Sequence, residues 1–295
     1  MTAGQWHAVG AARVTKIQDT VLAVLTPEQL LPEWDSSRAV QCYPQYNEVL
    51  DITQTKVPLS IHAWLIEDRG RKILVDTGVG NDKPRPAAPH FDHLHTGWLN
   101  NLRQAGIQPE EIDFVLLTHL HVDHVGWNTR KENDRWVPTF PNARYLFSKE
   151  EYQFFKDPAN NNGRNQTSFI TREDSIDPIV ACGLADQIDV SGEEVLEGVS
   201  FHSTPGHTAH HASIVLRSGA EHLLFTGDVM HHPVQVSQPG WNAVFDANPQ
   251  LAMASRQWAL EYAARHDATV FTSHFPLTSV GRVEKDHETY RWSFL

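Results

Sequence analysis

The sequence predicts a mixed α/β fold in which two mixed sheets pack face to face with helices outside. Three observations lead there. A strand–turn–strand rhythm occurs twice, over residues 60–75 and 212–225. Strands alternate with helical segments after each of these hairpins. The residues with metal-binding chemistry stand at the carboxyl ends of short apolar runs, where loops on a rigid scaffold carry function.

Taken in order, residues 1–57 hold strand-like 14–17 and 21–25, then a Pro- and Trp-bearing stretch through Trp34 and Tyr43. This extension falls outside the core pattern and reads as a lid or a dimer arm. Residues 60–67 are a strand, Asp68-Arg69-Gly70-Arg71 a hairpin turn, and 72–75 the returning strand. Residues 98–105 are helical, with Leu99 and Leu102 three apart. The run 114–117 is a buried strand, and Ser148 with Glu151 has capping-box spacing. Residues 157–166, with four Asn among Pro, Gly and Arg, are a loop. Beyond them Phe169, Ile170, Ile176, Ile179 and Val180 suggest helices, so 157–187 reads as an insertion that walls a pocket or packs peripherally. In the second half 199–203, 212–216, 222–225 and 269–271 are strands, and Asn248-Pro249 opens a helix reaching about Arg265. Since the candidate ligands run from His119 to His274, a domain split within that span is not expected, and residues 1–295 read as a single domain.

Composition narrows the function. Lys plus Arg number 24 against 36 Asp plus Glu, a net charge of −12 that repels phosphate backbones and disfavours nucleic acid as a partner. No apolar run has membrane length. The first residues lack a basic segment followed by a hydrophobic one, so the expected location is cytoplasmic. Two cysteines far apart do not suggest a disulfide framework.

The chemistry lies in His119-Leu120-His121-Val122-Asp123-His124, His207, Asp228 and His274. A chain with 18 histidines brings some together by chance, but each of these candidates follows an apolar run. His119 and His121 are two apart, so an extended backbone points both imidazoles to one side, while Asp123 and His124 can turn toward a neighbouring position. One segment can therefore serve two metals. Imidazole and carboxylate ligands without thiolate suit an open catalytic zinc site, and manganese, cobalt and iron accept the same set.

This order of motifs resembles the metallo-β-lactamase superfamily, and Val75-Asp76-Thr77-Gly78 resembles its early Asp-Thr-Gly turn. The likeness covers the chain from about Leu59 onward and implies a four-layer αββα sandwich. It also implies that His119, His121 and His207 bind one metal, that Asp123, His124 and His274 bind the second, that Asp228 bridges them, and that Asp76 orients the site's loops. Within the superfamily the stretch from Gly227-Asp228-Val229-Met230-His231-His232 through Phe245-Asp246, Arg256 and Ser273-His274-Phe275-Pro276 to Tyr290-Arg291-Trp292 is most similar to methyl parathion hydrolase and the acyl-homoserine lactonases. Lactonases typically carry tyrosine three residues after the bridging aspartate, where this chain has His231. His231 or His232 could donate a proton or a substrate hydrogen bond in its place, or hold the loop structurally.

Two cations about 3.5–4 Å apart share a water and lower its pKa, so the expected nucleophile is a metal-bridging hydroxide, with Asp123 or Asp228 steering its proton. No Gly-x-Ser-x-Gly elbow and no P-loop competes with this reading. Trp127, Trp241 and Phe275 neighbour ligands in sequence and, with His232, could wall an apolar substrate pocket, although each aromatic fits a core position as well. The expected function is a zinc-dependent hydrolase of small hydrophobic esters, first of all lactones, acting on a small molecule, with a homodimer as one oligomeric option. Organophosphate triesters are the alternative substrate class. A β-lactamase is disfavoured because the counterpart of the bridging ligand is present as Asp228, and a metal-binding sensor is disfavoured because all seven ligands are intact.

Overall fold

The computed structural model describes residues 6–42 and 56–295, so Tyr43 lies outside the described residues. The chain divides into two compact units, Met1–Thr20 with Ile61–Ser191, and Val21–Ser60 with Gly192–Leu295.

The first unit carries a seven-stranded sheet. Its strands are β1 (Trp6–Val9), β2 (Ala12–Leu22), β3 (Leu59–Asp68), β4 (Arg71–Val75) and β5 (Phe114–Leu116), with a separate hairpin of β6 (Thr129–Glu132) and β7 (Arg135–Pro138), then β8 (Arg144–Ser148) and β9 (Ala185–Ile188). The order is β1-β2-β3-β4-β5-β8-β9. The pairs β1/β2 and β3/β4 are antiparallel, whereas β4, β5, β8 and β9 run parallel. The β3–β4 turn places Arg69 at φ 51° and Gly70 at φ 74°, the positive pair that a two-residue hairpin loop needs to match strand twist. Between β4 and β5 the chain passes through the helix Trp98–Gln104, whose Trp98 and Leu102 are buried with Leu74, Val115 and Tyr145. Each such side chain removed from water contributes roughly 1.5–3 kcal/mol.

Two expectations change here. Strand-like 14–17 and 21–25 are not separate strands outside the core: 12–22 run as the single strand β2, inside the sheet. The insertion 157–187 does form helices, Gln166–Ser175 and Asp177–Ala181, but Phe169, Ile176 and Ile179 belong to the unit's core and the segment runs on into β9. Asp174 of this insertion accepts a bidentate pair from Arg85 at 2.5 and 2.9 Å, and Lys83 Nζ lies 3.4 Å away. All three groups are buried, so removing Asp174 would strand Arg85 without its carboxylate at a cost of about 3–5 kcal/mol.

The second unit holds β10 (Glu194–Leu196), β11 (Val199–Ser203), β12 (Ala212–Ser218), β13 (Glu221–Phe225), β14 (Thr269–Phe271), β15 (Val280–Asp286) and β16 (Thr289–Phe294), hydrogen-bonded in that order. Only β13 and β14 are parallel, and the helix Pro249–Arg265 lies between them in the chain. Asn248 caps this helix by accepting from Leu251 N, with Pro249 in the first turn. The short helix Pro27–Leu30 starts at a capping box in which Thr26 Oγ1 accepts from Gln29 N and Gln29 Oε1 accepts from Thr26 N. Leu30 and Leu31 are fully buried in the core with Val234, Val236 and Trp292. Part of the described amino-terminal segment is thus packed into the second unit's core.

Candidate metal centre

Both units end a parallel strand pair in ligand-type residues. In the first, Asp76 follows β4 and His119 follows β5; in the second, Asp228 follows β13 and His274 follows β14.

In the first unit the 119–124 segment follows β5 and ends in a turn at 122–124. The rings of His119 and His121 lie 4.6 Å apart between centroids, with Leu120 between them fully buried. The His119 and His124 rings are 4.1 Å apart. Asp76 organises the loop: its Oδ1 accepts from Thr118 N at 2.9 Å, and its Oδ2 accepts from Thr118 Oγ1 and from His124 Nδ1, both at 2.8 Å. A carboxylate only accepts, so the His124 proton sits on Nδ1 and the Nε2 lone pair is turned outward, with Asp123 Oδ2 3.8 Å from it. Asp76 adopts φ 57°, an uncommon conformation for a residue with a Cβ, held by these bonds. The loops of Asp76 and His124 are laced by Thr77 N to His124 O at 2.6 Å, Gly126 N to Gly78 O at 2.7 Å and Trp127 N to Thr77 O at 2.9 Å. They approach so closely that a Cβ on Gly126 would stand 1.9 Å from the Val79 carbonyl.

In the second unit the Asp228 carboxylate is ringed by imidazoles. Its Oδ2 lies 3.2 Å from His207 Nε2, 3.3 Å from His231 Nε2 and 3.0 Å from His274 Nε2. His274 Nδ1 donates to the Ser60 carbonyl at 3.0 Å, so in the neutral ring the Nε2 lone pair faces the carboxylate oxygen. Two lone-pair atoms at that distance repel unless a cation lies between them. Three imidazolium rings would not solve the problem, because His231 is only 5.1 Å from His207 and 5.3 Å from His274 between centroids. A divalent metal does solve it, and imidazole with carboxylate is the donor set that zinc and its neighbours take. The remaining nitrogen of His207, Nδ1, stands 3.7 Å from Asp246 Oδ1. Asp246 is anchored by the fully buried Arg256, whose guanidinium also donates to Val229 O and Pro239 O. Burial pulls the Arg256 pKa down while Asp246 pushes it back. Gly206, at φ 134°, lets His207 approach: a Cβ there would meet Ala252 N at 2.1 Å.

Residues 57–274 match the profile of the metallo-beta-lactamase superfamily. The chain belongs to that superfamily. It is 29% identical over 189 residues to the N-acyl homoserine lactonase AttM of Rhizobium radiobacter, covering 61% of this chain and 64% of AttM. The chain thus spans a little under two thirds of that relative's length. Among solved structures it is similar to hydrolase AbOPH of the beta lactamase superfamily, with TM-score 0.83 and 26% identity over 100% of this chain and 98% of that one. AidC, a dizinc quorum-quenching lactonase, has the same fold at TM-score 0.81 and 22% identity, over 99% and 97% of the two chains.

Two of the residues named for a substrate pocket pack within the units' cores. Trp127 is stacked on Trp98 at 5.7 Å within the first unit's core, and Phe275 is fully buried against Trp292 at 5.1 Å in the second. Both are core side chains. Trp241 and His232 are also largely buried but meet the half-buried Trp34, at 5.7 and 5.5 Å. His232 Nδ1 accepts from Val234 N, and burial lowers its pKa to about 4, so the ring is neutral near pH 7. Phe169 and Ile170 of the insertion line an open cavity of about 520 Å³ together with Pro86, and no metal-ligand candidate is among its lining residues. Sequence reasoning missed Trp34 as the aromatic partner of His232 and Trp241. It also missed His211, which accepts the Asp228 N–H; the only signal was a second histidine four residues after His207.

Proposed function

We propose that this chain is a dinuclear metal-dependent hydrolase of small, fairly hydrophobic esters, with lactones as the first substrate class. The observation that carries it is the Asp228 carboxylate oxygen with three imidazole nitrogens within 3.3 Å. The lactonase names of the relatives support the substrate class. His119, His121, Asp123, His124, His207, Asp228 and His274 would hold two divalent metals, zinc first. When bound, such metals activate water and polarise the ester.

The chain's own residues do the rest. Asp76 and the Ser60 carbonyl take the Nδ1 protons of His124 and His274, leaving Nε2 of each to bind. Asp228 and Asp123 supply negative charge beside neutral rings. His231 stacks on His274 at 5.3 Å and 10° and lies against Phe245. Its Nε2 stands 3.3 Å from Asp228 Oδ2, and its Nδ1 makes no hydrogen bond among the described residues. Carrying its proton on Nδ1, it would hydrogen-bond or protonate the departing oxygen. Trp34, Trp241 and His232 would be aromatic neighbours of the substrate's apolar part. A second reading, a phosphotriesterase of methyl parathion hydrolase type, is favoured by one feature: His231 stands where lactonases typically have tyrosine.

The test is initial rates of the zinc-loaded protein on an acyl-homoserine lactone, a simple δ-lactone, methyl paraoxon and a cephalosporin, with a chelated control. Chelator-sensitive turnover greatest on the lactones is expected. A preference for methyl paraoxon would move the assignment to the phosphotriesterase, and no turnover of any substrate would refute the hydrolase reading for these classes.

A further inference from the structure

The turn that presents Asp228 is held from beneath by a one-way chain of hydrogen bonds buried in the second unit. Asp228 N donates to His211 Nε2 at 2.9 Å, so that nitrogen must carry a lone pair. His211 Nδ1 lies 2.9 Å from Thr204 Oγ1, and Thr204 Oγ1 lies 3.1 Å from Ser213 Oγ. Ser213 Oγ donates to the Thr226 carbonyl at 3.0 Å. The two ends fix the direction of the middle. A backbone N–H can only donate and a carbonyl can only accept, so with His211 neutral its proton is on Nδ1 and points at Thr204, and the Thr204 hydroxyl proton points at Ser213. His211, Thr204 and Ser213 are all buried, so water cannot substitute for a missing link. The chain begins at the amide of Asp228 and ends on the carbonyl of Thr226, spanning the short turn that aims the carboxylate.

We propose that His211 is a positioning residue for Asp228, locked in the Nδ1–H tautomer by Thr204 and Ser213 so that it accepts the Asp228 amide and fixes the carboxylate among its imidazoles. The inference rests on the reading of Asp228 as a metal ligand. His211 itself touches neither substrate nor metal. Were the proton on Nε2, it would oppose the Asp228 N–H and push the turn away.

Three measurements test it. In the full-length protein, ¹⁵N imidazole shifts are expected to show His211 with a protonated Nδ1 and an unprotonated Nε2; the reverse tautomer would overturn the proposal without any variant. Thr204→Val removes the acceptor of the Nδ1 proton and is expected to weaken zinc affinity, measured by chelator competition, by about tenfold, the lower end of what partners of metal-binding side chains contribute. Thr204→Ser restores the hydroxyl and with it the affinity. Equal zinc affinity in Thr204→Val and wild type, or equal loss in both variants, would overturn the relay. Zinc affinity of Asp228→Asn separates the two readings: if it stays at the wild-type value, the ligand role of Asp228 fails, while the tautomer still reports on His211.

Discussion

The two units repeat one device and use it differently. Each has an antiparallel hairpin, β3–β4 or β12–β13, followed by a crossover to a parallel strand, and each puts an aspartate just beyond the second strand of the hairpin. In the first unit Asp76 turns its carboxylate onto Thr118 and the Nδ1 side of His124, where it arranges other groups. In the second, Asp228 turns its carboxylate toward the Nε2 side of three imidazoles, where only a cation relieves it. The bracing differs too. Asp19 Oδ2 accepts Val79 N at 2.7 Å beside the first turn, whereas His211 accepts the amide of Asp228 itself in the second. The same topology thus yields a supporting carboxylate in one unit and, on the function proposed above, a ligand carboxylate in the other, and the face of the imidazole it addresses decides which.

The largest expected effect falls on the second turn. Asp228→Asn keeps shape and hydrogen-bonding reach but removes the negative charge that three imidazoles share. Turnover should drop to the level of the chelated protein, while the circular dichroism spectrum and the metal-free thermal transition stay close to wild type. Retained activity in this variant would break the contrast, because both aspartates would then be supports.

Next in size is a pH signature of opposite sign in the two units. Burial pushes Asp19 up to about 6 from its ordinary 3.8, so between those values the native state holds more protons than the unfolded chain and stability falls as pH rises. Burial lowers His232 to about 4 from 6.5, so there the unfolded chain holds more protons and stability rises with pH over about 4–6.5. Each amounts to roughly 3 kcal/mol at most, and the two nearly cancel in the intact protein. Urea midpoints at pH 4 and pH 6.5 should therefore diverge in opposite directions for Asp19→Asn and His232→Gln. Changes of the same sign in both variants would show that the burial argument is wrong for one of them.

Much of this contrast was legible in the sequence, because ligands at strand ends need only an apolar run and a change of residue type to be seen. The runs before His119, Asp228 and His274 fall where β5, β13 and β14 lie. What was hidden depended on partners distant in the chain. Gln18, Asp19 and Thr20 look like an interruption between two short strands. In the fold Gln18 Nε2 donates to Thr20 O and to Ile61 O, and Asp19 accepts Val79 N, so these polar side chains continue β2. Phe275 and Trp127 look like pocket walls because ligands lie near them in sequence. Phe275, although next to His274, packs into the core against Trp292. Trp127, three residues past His124, finds Trp98, which sequence spacing does not bring near. His211 was one histidine among His207, His210 and His211, and only the direction of its hydrogen bonds separates it from its neighbours.

The smallest effect, and the sharpest on the first turn, is expected from Asp76→Asn. Asparagine tolerates the φ of 57° that Asp76 adopts, so the backbone should hold where most residues would strain it. Its amide has one accepting oxygen for the work of two. If the oxygen keeps Thr118 N, the NH₂ faces His124 Nδ1 and drives the imidazole proton to Nε2, the nitrogen that must be bare to bind a metal. Zinc affinity should fall about 10–100-fold, in line with other partners of metal-binding histidines, and turnover at saturating zinc should largely recover. That recovery is the point of difference from Asp228→Asn, whose loss no zinc concentration repairs. If excess zinc instead fails to restore Asp76→Asn, then Asp76 does more than set the tautomer of His124, and the division between a supporting and a ligand carboxylate no longer holds.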